Sequence, residues 1–499
     1  MSKTITKSKY INGVQCPAFL WLEMNVPEKI AEPNSAVIHR MEQGTLAGEL
    51  ATKIFPDGIN IPAKNFKENL KKTQELLKKR KPLFEAGFNF ETEDGNIYAR
   101  IDILRPAGKD KWDIIEVKSG TKIKGINLHD VSFQKYVCEK CGLKINKCIL
   151  CHVNNEYVKQ GEIKPEELFV LEEVDEQVDD LHDGVEDKIK KLFEVINLPQ
   201  CPKVTCQDIL NTEYSNVAID EFYDSLPEEN VFQLYRIFTK KAVELYEKGI
   251  IQIKDIPANF RLNDKQKIQK NCCDGKCSHV DKKEIGNFLK KLKYPLYYLD
   301  FETYNTIIPM FDGTKPYQQI PFQFSLHIVE ERSAKPKHIS FLADGASDPR
   351  PEFIKALKNN LGDEGSIVVF NESFEKRIIK DCCECFPLFA EWGEGVLSRI
   401  VDLLKPFRDF HFYHPNQKGS ASIKNVLPIF SQDVNYKDLL IQNGEDASLS
   451  YLRSHVLGDA SPEEKAKIRK ALEKYCELDT YAEIVLVDGL GKVSAETKE

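Results

Sequence analysis

The chain has 499 residues, 41% hydrophobic and 30% charged, and exceeds the roughly 250 to 300 residues at which one hydrophobic core stops growing, so two or three domains are expected. Its 24 Pro and 26 Gly exclude collagen-like and wholly disordered readings. A formal net charge of −8 excludes a non-specific nucleic-acid sponge, so any basic surface must be local.

No run of ~18 apolar residues would span a bilayer, and the start at Met1 lacks the apolar stretch of a signal peptide, so a cytoplasmic, membrane-free location is expected. There the 14 cysteines read as free thiols or metal ligands rather than disulfides.

Three stretches differ in texture, without solenoid repeats. The first begins with a helix around Cys16 to Trp21. A Lys-rich helical run from Asn69 follows, which Pro82 should end. Strand-like runs at Asn96 to Leu104 and Trp112 to Val117 flank Arg105-Pro-Ala-Gly, which reads as the turn between them. The middle stretch, about 201 to 290, reads as a helical connector: Val231 to Phe238 and Ala242 to Tyr246 have helical periodicity, and Asn271 to His279 breaks it. The third opens with an apolar strand from Tyr294 to Asp300. Further strands are expected at Phe322 to Val329 and Ser366 to Phe370, with helices at Glu352 to Lys358 and Ala466 to Leu486. The whole is α/β.

In the first stretch, Asp102 sits in an alternating strand, and Glu116-Val-Lys118 places an acid and a lysine two apart on one face of the next. Two carboxylates on neighbouring strands could hold a hard divalent cation while Lys118 stabilises charge at a scissile phosphate. A lone Glu-x-Lys is otherwise an ordinary solvated pair. In the third stretch, Leu299-Asp300-Phe-Glu302 sets two acids on one strand face. Asn371-Glu-Ser-Phe-Glu375 follows a second apolar strand, and Tyr475-Cys-Glu-Leu-Asp479 places Tyr and Asp at i and i+4 on a helix. Four such acids could bind two divalent ions for water attack on a phosphate, with Tyr475 orienting the water.

The pattern Asp102, Glu116-Val-Lys118, then Phe133-Gln134-Lys-Tyr136 on a following helix resembles the PD-(D/E)XK nucleases of the RecB type, including their CRISPR-associated relatives. That resemblance implies a restriction-endonuclease-like domain over 1–215, with Gln134 and Tyr136 near a one- or two-metal site and Glu49 as an upstream acid. Many such nucleases hold an iron-sulfur cluster by one early cysteine and three late ones. Cys16, Cys201 and Cys206 match three, and a fourth would have to come from Cys272, Cys273 or Cys277, a segment that could equally bind zinc or nothing. Cys138, Cys141, Cys148 and Cys151 form a doubled CxxC whose six-residue spacer is too short for paired zinc knuckles, so they read as ordinary thiols.

The three acidic motifs of the last stretch resemble the DnaQ-like 3′-5′ exonucleases, RNase H-like in fold, over 291–499. Asp300, Glu302, Glu375 and Asp479 would be their ligands for magnesium or manganese. Position 375 is Glu where that family's second motif usually ends in Asp. Asp402, Ser422 and Lys424 would line the same cleft. Taken whole, the chain resembles a bacterial family known as domain of unknown function 2779, in which a RecB-like half precedes a DnaQ-like half, here with the connector at 216–290 between them. The resemblance implies a nuclease acting on DNA ahead of RNA; the alternatives are an RNase, or a nucleic-acid-binding or regulatory protein that has lost turnover. The aromatic runs Pro316 to Phe324 and His411 to Pro415 read first as core, and the Lys71 to Lys81 run as a solvated helix face. The histidines show no metal-ligand spacing.

Overall fold

The protein is mixed α/β, described by a computed structural model over residues 3–61 and 65–495, so that the start at Met1 and Ser2 lies outside the described residues. The chain divides into two compact units, one of residues 1–225 with 306–318, the other of 226–305 with 319–499. The stretch read as a connector, 216–290, is therefore split, with 226–290 counted in the second unit. Among the described residues no helix is long and apolar enough to cross a membrane.

The first unit is built on a seven-stranded mixed sheet of β1 (Thr4–Thr6), β2 (Ile59–Asn60), β3 (Leu83–Glu91), β4 (Asn96–Ala107), β5 (Lys111–Lys118), β6 (Lys144–Val153) and β7 (Phe169–Glu173). The order is β2-β3-β4-β5-β6-β7, with β1 paired to β4. Alternation along the strands fills both faces. Ile114, Cys148 and Leu150 join one apolar cluster with Tyr10, Phe133 and Phe193 from helices, while Ile115, Ile149 and Cys151 join another with Ala47 and Leu50. The helix Gly125–Lys140 makes the crossover between the parallel strands β5 and β6. The Lys-rich helix runs Phe66–Leu77, capped by the Asn65 side chain, and ends before Pro82 as expected. The turn between β4 and β5 falls later than Arg105-Pro-Ala-Gly. β4 continues through Ala107, paired with Lys111, because Gly108 takes the positive φ of 54° that the reversal needs.

The second unit centres on a five-stranded sheet of order β11-β10-β9-β12-β13, numbering β8 (His279–Val280), β9 (Leu296–Tyr304), β10 (Ile320–Val329), β11 (Lys337–Leu342), β12 (Ser366–Val369), β13 (Ile400–Asp402) and β14 (Phe412–Tyr413). β9 pairs antiparallel with β10 and parallel with β12; β8 and β14 form a separate two-stranded ladder. Gly365, at φ 86°, lets the backbone at Pro295 approach where β12 begins beside β9; a Cβ there would lie 2.1 Å from the Pro295 carbonyl oxygen. Tyr297, Leu299 and Phe301 of β9 and Phe324, Leu326 and Ile328 of β10 bury one face against Phe353, Ile354, Ile378 and Ile379 of two helices. The opposite face meets the helix Pro462–Ala495.

The middle stretch departs from its sequence reading. Val231–Gln233 is only a 3-10 turn, since Val231 and Leu234 are consumed in a small core with Leu245 and Ile253. The helix Asp264–Gly275 runs through Asn271 before Lys276 ends it in the left-handed conformation.

On the helix-facing side of β10, His327 lies opposite His338 of β11. Thr480 Oγ1 is 2.8 Å from His327 Nδ1 and 2.7 Å from Ser325 Oγ, which is 2.9 Å from His338 Nε2. Burial, helped by the charge of His338, pushes His327 down to about 4. Unfolded, it would bind a proton near 6.5, so its contribution to stability is present above that pH and lost as pH falls toward 4. Accordingly, the stability difference between wild type and His327→Gln, measured by urea unfolding, should shift against wild type from pH 6.5 to 4; a pH-independent difference would contradict this burial.

Candidate functional site

Two clusters of buried acids stand out, one in each unit. In the first, β4 and β5 present Asp102 and Glu116 from adjacent strands, and Lys118 follows Glu116 on the same face. The helix Gly125–Lys140 brings Asp130 and Gln134, at i and i+4, to the same group. The cluster is closed by Lys7, the first residue of the helix Lys7–Gln15. Lys7 Nζ is 2.7 Å from Glu116 Oε1 and 3.6 Å from Asp102 Oδ1. Lys118 Nζ is 2.7 Å from the same Glu116 oxygen and 2.5 Å from Asp130 Oδ2. Gln134 Nε2 donates to Glu116 Oε2 at 2.8 Å and to Asp130 Oδ1 at 2.9 Å. Val117 N–H donates to Asp102 Oδ2 at 2.9 Å.

Burial raises both carboxyls, but they end far apart. Lys118 and Lys7 outweigh the burial of Glu116 and hold it well below the usual carboxylate range. Asp102 is pushed up to about 7 by burial and by the charge of Glu116, against the pull of both lysines. Asp102 also lines a 610 Å³ cavity that includes Glu49, Glu85 and Arg100. Tyr136 does not join this group. Two residues on from Gln134 it lies about 200° around the helix, and its hydroxyl donates to Glu186 at 3.1 Å. Lys7 and Asp130 escaped the sequence reading. Asp130 is four residues before Gln134 and could have been found by helical spacing; Lys7 carries no local signal.

The second cluster has a different balance. Asp300 and Glu302 lie on the β9 face that meets the helix Pro462–Ala495, whose Tyr475, Asp479 and Glu483 recur every four residues. Glu375 comes from the first turn of the helix Glu372–Cys385. Asp300 is half-buried; Glu302, Glu375, Asp479 and Glu483 are buried. Oxygens of Asp300 and Glu302 and the Cys476 sulfur all lie within 4.8 Å of one another. Glu375 Oε2 and both Glu483 oxygens are buried without a hydrogen-bond partner within 3.5 Å, the Phe370 backbone only easing the cost of burying Glu483.

Burial raises every carboxyl in this cluster, and repulsion from the other members adds to it at Asp300, Glu302 and Glu483. Asp300 is driven well up by burial and by the charges of Asp479, Glu302 and Glu375. Burial and Asp479 raise Glu302 well above its usual range. Glu375 is pushed up to about 8 by burial, with Asp402 adding to it. Asp479 reaches only about 6, because hydrogen bonds from Tyr436 and Tyr475 and the charge of Lys424 offset its burial. Tyr436 donates to Asp479 Oδ1 at 2.6 Å. Lys424 Nζ lies 5.3 Å and 5.6 Å from the ring centroids of Tyr436 and Tyr475. Asp402 is spent on structure, accepting from Arg408 at 3.0 Å and from the Asn371 and Leu404 N–H groups. The Ser422 hydroxyl donates to Asn425.

Bare, buried carboxylate oxygens repelling one another fit a hard divalent cation. The first cluster fits one less well, since lysine and glutamine already occupy both Glu116 oxygens. Glu483 was legible as the third member of the Tyr475, Asp479, Glu483 stripe; Tyr436 sits in a loop without pattern.

Among the described residues, no group of three or more metal-ligating side chains includes Cys16, Cys201 or Cys206. Cys16 is buried, and its thiol is pushed up to about 11 by that burial, with the Cys201 charge among the smaller contributions. Cys201 Sγ contacts the Ala18 carbonyl at 3.7 Å, and Cys206 begins a short helix. Cys138, Cys148 and Cys151 of this unit are spent in its apolar clusters, while Cys272, Cys273 and Cys277 belong to the second unit.

Residues 297–422 match the model of a domain of unknown function, DUF2779. Over 225 residues the chain is 29% identical to the uncharacterized protein MG366 of Mycoplasma genitalium, covering 41% of this chain and 33% of MG366. Over 177 residues it is 32% identical to the uncharacterized protein UU173 of Ureaplasma parvum, covering 31% of this chain and 25% of UU173. The chain thus spans a third or less of the length of these relatives. A crystal structure of SSO0001 aligns with 40% of this chain and 87% of its own at 13% identity and a TM-score of 0.21, too slight a likeness to argue from. By sequence, the stretch that carries Asp300, Glu302 and Glu375 is similar to that domain of unknown function.

Proposed function

We propose that the chain is a metal-dependent nuclease whose second unit hydrolyses phosphodiester bonds in DNA from the 3′ end, in the manner of a DnaQ-like exonuclease of RNase H-like fold. The observation that carries this reading is the cluster of Asp300, Glu302, Glu375, Asp479 and Glu483, with buried oxygens left bare and the charges raising one another. Asp300, Glu302, Glu375 and Asp479 would hold magnesium or manganese, with Glu483 beside them. Two such ions, when bound, supply a lowered water pKa and charge stabilisation at the departing oxygen. Tyr436 and Tyr475 fix the Asp479 carboxylate, and Lys424, beside both rings, offers its charge to a phosphate.

The first unit we read as a RecB-like PD-(D/E)XK domain. Its contacts favour a second reading beside hydrolysis. With Lys7 and Lys118 both on Glu116, that carboxylate is already neutralised, and the lysines suit binding a nucleic-acid backbone without turnover.

Degradation of end-labelled single-stranded DNA in magnesium should fall by about a hundredfold or more in Asp300→Asn and in Asp479→Asn, as expected when a metal ligand worth several kcal/mol is lost. Glu116→Gln should leave that activity within about threefold, well below the tenfold that 1.4 kcal/mol represents. Activity retained in Asp300→Asn would refute the assignment, and RNA cleaved in preference to DNA would move it to an RNase.

Without metal, the same cluster is a source of repulsion. Asp300→Asn should therefore raise the metal-free melting temperature by about 2–4 °C, the shift expected for ~1 kcal/mol in a unit of this size. Manganese should stabilise wild type and not the variant. Because carboxyls at about 6 and about 8 must lose protons to bind a cation, manganese affinity measured calorimetrically should rise from pH 6 to 8. A flat profile would exclude Asp479 and Glu375 from the ion's surroundings.

A further inference from the structure

Away from the acids, the second unit carries a 690 Å³ cavity lined by Arg236, Lys241, Arg261 and Lys267 together with Phe238 and Phe260. Its one acid, Asp264, is 3.0 Å from Lys267, and among the described residues no carboxylate pairs with Arg236, Lys241 or Arg261. On a chain of net charge −8, four cations around one cavity concentrate positive potential where the rest of the molecule repels anions.

Scattered surface lysines would not carry a site. Here two independent features accompany them. Phe238 is 75% exposed, a large apolar ring held in water beside the unpaired cations. Arg236, two residues before it, sits at φ 47°, in the left-handed region that a residue with a Cβ enters at a cost. The segment is thus held in a strained conformation with a cation and an aromatic ring both displayed on a cavity wall. The volume lies within the roughly 300 to 1,000 Å³ of sites that take small ligands or parts of larger ones.

A partner that satisfies this surface must carry repeated negative charge and flat apolar faces. A duplex hides its base faces, whereas a single strand offers both. We propose that this cavity binds a segment of single-stranded nucleic acid, with phosphates on Arg236, Lys241, Arg261 and Lys267 and a base stacked on Phe238. The assignment concerns binding alone and stands whether or not either carboxylate cluster hydrolyses the strand.

The test uses the full-length chain in EDTA, so that hydrolysis does not enter, with a fluorescein-labelled oligothymidylate of about 20 nucleotides, longer than the ~4–16 that one single-strand-binding domain covers. Anisotropy should show Lys241→Glu/Arg261→Glu binding at least about tenfold more weakly than wild type, with a shallower dependence of affinity on salt, by ~0.7 for each phosphate that is no longer neutralised. Phe238→Ala should bind about fivefold or more weakly, as the absence of one stacked base implies. All three side chains are exposed, and unchanged melting temperatures will show that the variants fold. The proposal is overturned if wild type does not bind the oligonucleotide, if either variant binds as wild type does, if a duplex of the same length binds as tightly, or if thymidine monophosphate displaces the strand at equal nucleotide concentration. Magnesium-dependent cleavage is scored separately, so a failure of the nuclease reading and a failure of this one are told apart.

Discussion

Gathering Asp300, Glu302, Glu375, Asp479 and Glu483 around one pocket is the constraint on which the second unit depends. Two unit charges 4 Å apart repel by about 4 kcal/mol at an effective dielectric constant of 20, a large share of the 5–15 kcal/mol by which a domain is stable at all. The surrounding architecture must therefore hold these side chains against their own repulsion. β9 is suited to that task because it lies inside the sheet, between β10 and β12. Its residues Tyr297, Leu299 and Phe301 are locked into an apolar cluster on one face, which leaves Asp300 and Glu302 no rotation of the strand by which to escape. The helix Pro462–Ala495, seated by Gln323 on Leu472 and by Ser325 and His327 on Thr480, delivers Asp479 and Glu483 at a fixed height, and the helix Glu372–Cys385 delivers Glu375.

The first unit settles a comparable problem differently. Three acids, Asp102, Glu116 and Asp130, face two lysines, and the hydrogen bonds of Gln134 complete the set. The two lysines hold Glu116 ionised, while burial and the charge of Glu116 push Asp102 up to about 7. Such a cluster is close to self-sufficient, whereas the cluster of the second unit is not. The same residue chemistry, acids on strands beneath a helix, thus yields one cluster in which, among the described residues, no lysine touches the acids and one in which two lysines do.

How much of this could be read in the chain depended on whether the signal was local. Strands β4, β5, β9, β10 and β12 followed from alternation or apolar runs, and the helix Phe66–Leu77 from its composition and the Pro82 stop. Acids two apart on a strand, or four apart on a helix, were visible for the same reason: the period of the element puts them on one face. The pairing of His327 with His338 was not, because eleven residues of separation become a contact only through the β10–β11 register. Lys7 and Tyr436 were invisible as well, each reaching its carboxylate from a distant part of the chain. Tyr136, which the resemblance put beside the metal, turns away because a spacing of two sets it on another side of the helix from Gln134, where it donates to Glu186. Val231 to Phe238 failed as a helix because its apolar residues are claimed by a tertiary core instead.

The choice of neutral donors around Asp479 follows from the same electrostatics. Tyr436 donates to it and Tyr475 also favours its charged form, neither adding charge, so the carboxylate is oriented yet remains an anion. A lysine in contact would orient it equally well and cancel it, as Lys118 does for Glu116. Lys424 is kept over the tyrosine rings, with its ammonium donating to the Gln442 carbonyl, so that its charge is felt at Glu302 and Asp479 without a contact. Asp479 consequently remains the readily ionised member of the pocket, the other carboxyls being raised further. With such a pocket, a chain of net charge −8 would depend on separate basic surface to attract any polyanion.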